Sequence, residues 1–133
     1  MSHDVTRTTH VTRTEPLKRA ATRVQAKSIN ITAAPLNEAT AAQVHLRDWL
    51  HPVRFNLKTG KATFDNWEGR WGDEARLHEL LSAYAEEALT IEVEQRVENG
   101  VVESFEWTDV VENGEPMRKL VVNYPENKVE AVL

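Results

Sequence analysis

The segment that decides the fold spans residues 73–91 and reads DEARLHELLSAYAEEALTI. Its apolar residues recur at intervals of three and four, which places them on one side of an α-helix. Asp73 stands immediately before this pattern, where a carboxylate can accept hydrogen bonds from the first free N–H groups of a helix. The segment therefore predicts a long amphipathic helix that presents one apolar stripe to a core: Leu77, Leu80, Leu81, Tyr84, Ala88 and Ile91.

The end of this helix has two interpretations. Residues 91–97 alternate with a period of two, and Asn99-Gly100 is a common hairpin turn, so a strand could begin near Thr90. The same Asn-Gly pair can also end a helix, because glycine readily adopts the left-handed conformation found at helix C-termini. We predict that the helix continues to about Val97.

Two β-hairpins flank the long helix. Residues 53–65 alternate apolar and polar side chains around a turn at 58–61, and residues 101–124 do the same around Asn113-Gly114. Near the N-terminus, residues 4–13 are rich in threonine and other β-branched side chains, which predicts a strand.

A shorter helix and a further strand follow this first strand. Thr14 supplies a capping hydroxyl and Pro16 fits the first helical turn, so a helix should run from there to about Ala26. Residues 28–36 alternate weakly, as a strand does. Residues 38–50 fit either a helix or a strand.

Together these elements predict an α+β fold with an antiparallel sheet of five or six strands and two helices packed on one face, in the order β-α-β-β-β-α-β-β. The helix stripe should meet residues of both hairpins in one core: Val53, Phe55, Phe64, Phe105 and Leu120. We expect residues 1–124 to form a single α+β domain and residues 125–133 to form a C-terminal tail.

Composition limits the classes of protein to consider. The chain has 133 residues and no cysteine, so neither disulfides nor thiolate metal sites are possible. No apolar run is long enough to cross a bilayer, and the first residues lack the pattern of a secretory signal. These features predict a cytoplasmic location without membrane binding.

Charge is distributed unevenly along the chain. Residues 1–64 contain ten basic and four acidic residues, whereas residues 86–115 contain ten acidic residues and Arg96 alone as a basic one. Such a run often forms a solvated face, but it can also repel nucleic acid and attract a basic protein partner. The residues proposed to bind that partner are Glu92, Glu94, Glu98, Glu103 and Glu106.

A second candidate site is the segment 66–72, NWEGRWG, which leads into the long helix. Helix N-termini attract anions, and Arg70 between Trp67 and Trp71 could hold a carboxylate or phosphate. Two alternatives compete with a ligand site: the carboxylate of Asp73 would occupy the helix N-terminus, and both tryptophans could cover the core.

Motifs for catalysis are missing from the sequence. It contains no cysteine nucleophile, no G-x-S-x-G sequence and no glycine-rich phosphate loop. His45, Asp48 and His51 have a spacing that suggests metal binding, but alternate faces of a strand would separate them. We therefore expect a non-enzymatic protein with no metal and no cofactor.

Four strings between residues 51 and 85 carry a family resemblance: HPVRF, KTGK, FDNWEGRWGD and LLSAYA. With them the chain resembles the domain of unknown function 1257 family, whose members occur in cyanobacteria, other bacteria, algal plastid genomes and phages. The resemblance implies that residues 38–50 contain a strand. It implies no activity, because that family has no assigned function.

These observations favour a protein-interaction module, such as an accessory or adaptor subunit or a component of a larger assembly or phage particle. Its partner would be a basic protein or another copy of the chain. A small anionic-ligand-binding protein that uses Trp67, Arg70 and Trp71 is the alternative.

Overall fold

A computed structural model describes residues 4–33 and 39–125 of the chain. The chain divides into two compact units, residues 1–88 and 89–133. The predicted domain over residues 1–124 therefore contains two units, and its behaviour as one folding unit stays a prediction. Apart from Pro125, the predicted C-terminal tail lies outside the described residues.

Each unit has its own sheet, and one helix runs from the first unit into the second. The first unit contains β1 (Asp4–Thr8), α1 (Thr14–Arg23), β2 (Ser28–Ala33), β3 (Ala39–His45), β4 (Val53–Asn56) and β5 (Lys61–Asp65). Helix α2 (Glu74–Glu98) begins in this unit and ends in the other. The second unit continues with β6 (Ser104–Glu112) and β7 (Glu115–Asn123).

The predicted α+β class is confirmed. Five antiparallel strands form the first sheet in the order β1-β5-β4-β3-β2, and β6 and β7 form a separate two-stranded sheet. Among the described residues, four strands lie between the two helices, one more than in the predicted order. Strand β3 falls within residues 38–50, where residue patterns alone left helix and strand open.

One face of the five-stranded sheet carries the core. Phe55 stands opposite Ala42 on one side and Ala62 on the other, and all three side chains are fully buried. Their neighbours Arg54 and Asn56 point to the opposite face and are exposed. This alternation follows the hairpin pattern predicted for residues 53–65. The helices contribute Leu17, Ala20, Ala21, Leu77, Leu80, Ala83 and Tyr84 to the same core.

Tyr84 also joins the two helices through its hydroxyl group. The hydroxyl oxygen accepts hydrogen bonds from the backbone N–H of Thr12 (3.1 Å) and of Arg13 (3.2 Å), just before α1. The prediction that Thr14 caps this helix is wrong, since the N-cap residue is Arg13 and makes no side-chain capping bond. Tyr84 therefore holds the segment that leads into α1 and does not cap the helix itself.

The prediction that α2 continues to about Val97 is confirmed, because the helix extends to Glu98. Gly100 has a φ of 77°, and its N–H donates to the carbonyl of Val97 (3.1 Å). The N–H of Val101 donates to the carbonyl of Arg96 (2.9 Å), which completes a Schellman motif. Helix α1 ends at Arg23, three residues before the predicted position.

Strands β6 and β7 form the predicted second hairpin, with Asn113 and Gly114 at φ values of 52° and 80° in its turn. The expectation that Phe105 and Leu120 join the main core is wrong. Both lie in the separate two-stranded sheet and are half-buried. Sequence alternation placed them on an apolar face correctly, but it could not tell which sheet that face belongs to.

Leu80 and Leu81 provide a paired test of the core. Leu80 is fully buried, whereas Leu81 is half-buried at the edge of the cluster. Leu80→Ala should lower the free energy of unfolding by about 2–5 kcal/mol, because it leaves a cavity in a closed core. Leu81→Ala should lower it by about 1 kcal/mol, since less apolar surface is lost. Urea unfolding followed by circular dichroism measures both, and equal losses would contradict this assignment of the helix face.

Candidate interaction surfaces

The tryptophan loop (residues 66–72) connects β5 to α2 and is organised by the buried Asn66. The carbonyl of Asn66 accepts hydrogen bonds from the N–H groups of Gly69 (3.0 Å) and Trp71 (2.9 Å). Trp67 and Gly69 adopt positive φ values of 44° and 91°. Glycine has no Cβ and adopts a positive φ readily, which explains why position 69 is a glycine.

The three residues proposed to bind an anion come together on the surface of this loop. The ring centroids of Trp67 and Trp71 are 4.9 Å apart, in an edge-to-face arrangement. The guanidinium carbon of Arg70 lies 4.7 Å from the centre of the Trp67 ring, a cation–π distance. The ring of His51 packs edge-on against Trp71 at 5.4 Å. Both tryptophans are half-buried, while Arg70 is exposed.

The tryptophan that fills the core is Trp49. It is 2% exposed, packs edge-on against Phe64 at 5.4 Å and donates from Nε1 to the carbonyl of Asp73 (3.1 Å). A methyl group at Gly72 would overlap with the Trp49 ring, so glycine is required there for close approach. Sequence reasoning missed this contact, since no local pattern connects Trp49 with Gly72.

The N-terminus of α2 is already occupied by its own cap. The carboxylate of Asp73 accepts a hydrogen bond from the N–H of Ala75 (2.9 Å), as the sequence predicted. A bound anion would have to compete with this negative charge. Any anion at the tryptophan loop would therefore depend on Arg70 and not on the helix terminus.

The residues with metal-like spacing have separate structural roles. His45 donates from Nε2 to the carbonyl of Trp49 (2.8 Å), and His51 contacts Trp71. Asp48 is exposed and has a φ of 67°. Among residues 4–33 and 39–125, no group of three or more histidine, aspartate or glutamate residues is arranged to hold a metal ion.

A shallow groove of about 800 Å³ lies between the end of α1 and the first half of α2. Its charged side chains pair with their neighbours. Arg23 lies 3.4 Å from Glu86, and Nη1 of Arg47 donates to the side-chain oxygen of Gln25 (2.7 Å). The groove thus contains side chains of both charge signs, and the buried Nε of Arg47 has no hydrogen-bond partner within the part of the chain that the structure describes.

The five glutamates proposed to bind a basic partner are all exposed, but they do not share one face. Glu92 forms an ion pair with Arg96 (3.1 Å), and Glu94 is separated from Glu92 by about 160° around the helix axis. Glu98 falls on the same side as Glu94. Glu103 precedes β6 and Glu106 lies within it.

The hairpin of β6 and β7 is held to α2 through Trp107. Nε1 of this residue donates to the hydroxyl of Thr90 (2.9 Å). Arg118 lies 5.5 Å from the centre of the Trp107 ring and forms an ion pair with Asp109 (3.1 Å). These contacts fix the half of the hairpin that lies near the helix.

The other half, the hairpin tip (residues 110–117), exposes apolar side chains. Val111 is 72% exposed and Met117 is 48% exposed. Val111 lies on the same face of β6 as Phe105 and Trp107, as the alternation of residues 101–124 indicates. Its exposure was missed because burial depends on what covers that face, which the strand pattern does not record.

Comparison with known proteins returns no match among family models, curated proteins or solved structures. The resemblance to the domain of unknown function 1257 family therefore stays a prediction. No helix in the described part of the chain is long and apolar enough to cross a membrane.

Gly72→Ala tests the contact that supports the tryptophan loop. The new methyl group should displace the Trp49 ring and lower the free energy of unfolding by about 1–3 kcal/mol. Gly69→Ala is the control, since no atom lies near its added methyl group and only the positive φ opposes it, at a cost of about 1 kcal/mol. Thermal unfolding and tryptophan fluorescence measure the difference. A larger loss for the Gly69 variant would show that the loop does not rest on Trp49.

Proposed function

We propose that this chain is a non-enzymatic protein-interaction module, an accessory or adaptor subunit, that binds a basic protein partner through the hairpin tip. The observation that carries the proposal is the pair of exposed apolar side chains, Val111 and Met117, on an otherwise acidic hairpin.

The apolar part of this surface lies on both faces of the hairpin. Val111 stands opposite Pro116 on one face, and Val110 stands opposite Met117 on the other. A two-stranded hairpin has no second layer of its own to bury both faces. Exposed apolar side chains often mark sites where another protein docks, and here the partner would close around both faces of the tip.

The charges around the tip define the chemistry of the partner. Asp109, Glu112 and Glu115 surround the apolar residues, and all three are exposed. Asp109 is paired with Arg118, so Glu112 and Glu115 supply the negative potential nearest the turn. A partner with an apolar slot and a basic rim would complement this surface.

The charge of the second unit also bears on the class of partner. Within residues 89–125, eight acidic residues face three basic ones, which opposes binding to nucleic acid. The proposal includes a cytoplasmic location, as the sequence analysis predicts. It also includes a role as a component of a larger assembly or phage particle.

Val111→Asp tests the proposed docking surface. Purified tagged chain should capture a basic protein from an extract of the source organism, and added salt should weaken the capture. Val111→Asp should reduce the capture at least about tenfold, because it places a charge where an apolar contact forms. Leu50→Asp is the matched control, since Leu50 is 55% exposed but lies in the first unit.

Two outcomes of this experiment would contradict the proposal. In the first, Val111→Asp captures the same protein as strongly as the unmodified chain. In the second, Leu50→Asp loses the protein to the same extent, which would place the docking surface elsewhere.

A second candidate function, binding of a small anionic ligand, is supported by one observation at the tryptophan loop. The guanidinium of Arg70 is exposed and lies over the Trp67 ring, so an anion bound to it would contact an indole surface. The Asp73 carboxylate nearby weakens the site, which is why we place it second.

Tryptophan fluorescence tests this second candidate. Citrate or pyrophosphate should change the emission of Trp67 and Trp71 on binding, and Arg70→Ala should abolish the change. Arg54→Ala, which removes an exposed arginine from the open sheet face, should leave the change intact. A constant emission across the titration would exclude a site for these anions.

A further inference from the structure

We infer that the outer edge of β2 pairs with β2 of a second copy of this chain and makes a two-fold dimer with a continuous sheet. Strand β2 is the last strand of the five-stranded sheet and pairs with β3 on one side. Among the described residues, no strand pairs with its other side. The backbone N–H and C=O groups on that side can therefore pair with another strand.

The two edges of the sheet differ in how they are protected. Proteins usually place charges or proline on an exposed edge to prevent pairing with another chain. The edge strand β1 carries Asp4 and Arg7. Strand β2 reads SINITA and contains no charge, no proline and no glycine. Its regular pairing with β3 extends from Ser28 to Thr32, where the register shifts.

A second copy of β2 is complementary to the first. With Asn30 opposite Asn30 of the second copy, Ile29 faces Ile31 of the second copy, and Ser28 faces Thr32 of the second copy. Ile29 and Ile31 stand opposite Val44 and Ala42, which are buried, so they lie on the core side of the sheet. The dimer would join the two cores through isoleucine pairs and the two open faces through polar pairs.

Charge and symmetry also favour this occupant. Lys27, the charged residue next to β2, would face residue 33 of the second copy, so like charges do not meet. Antiparallel pairing about a two-fold axis uses the same edge on both chains, and the assembly therefore closes at two. A basic partner would find no acidic side chain on β2 with which to form an ion pair.

Asn30 provides the test, because a charge there would meet the same charge on the second copy. The unmodified chain should sediment with twice the 15.1 kDa mass of one chain. Asn30→Lys and Asn30→Asp should each raise the dissociation constant of the dimer at least about tenfold. An equimolar mixture of the two variants should dimerise again, since opposite charges would then face each other.

Thr6→Lys is the matched control. Thr6 and Asn30 are both exposed and lie in one row across the sheet, at opposite edges. Thr6→Lys and Val111→Asp should both leave the dimer intact, which separates this inference from the proposed function of the hairpin tip.

Three results would overturn the inference. The unmodified chain would sediment as a single chain at every concentration, or Asn30→Lys would leave the dimer as stable as before, or the mixture of charged variants would stay monomeric. Circular dichroism of each variant confirms that it is folded, so that loss of the dimer is not loss of the fold.

Discussion

Leu77, Leu80 and Tyr84 of α2 belong to the same buried cluster as Phe55 and Phe64 of the five-stranded sheet, and the first unit depends on that packing. The helix covers the apolar face of strands in which buried residues alternate with more exposed ones. Tyr84 adds a second role, because its hydroxyl holds the chain at the start of α1. One helix stripe thus closes the sheet and positions the other helix.

Helix α2 continues beyond this core and forms the first part of the second unit. Beyond Ala88 the helix carries Thr90, which accepts the hydrogen bond from Trp107 and so holds the β6–β7 hairpin. The hairpin is anchored at that point and exposes Val111 and Met117 near its turn. Stable anchoring at one end and apolar exposure at the other suit a segment that docks onto another protein.

The proposed interactions use different physical chemistry on separate surfaces. The hairpin tip combines apolar side chains with acidic residues and so favours a basic partner. The β2 edge has no charge and presents backbone groups, which favours another copy of the same strand. The acidic residues of α2 do not form one patch, because Glu92 and Glu94 point in different directions and Glu92 is paired with Arg96.

The pattern of neighbouring residues was sufficient to predict the helices and strands. It was not sufficient to predict which distant segments pack against them. The sequence by itself determined helix α2, its Asp73 cap, its end near Asn99-Gly100 and both hairpins, because each signal acts over a few neighbouring residues. It also brought Trp67, Arg70 and Trp71 to one loop. Only the tertiary structure decided that Tyr84 holds the segment before α1 and that Trp49 requires glycine at position 72. It also decided that Phe105 belongs to the separate two-stranded sheet and that Val111 is exposed. Each of these depends on which distant segments pack together, and side-chain periodicity shows a residue's face without showing what covers it.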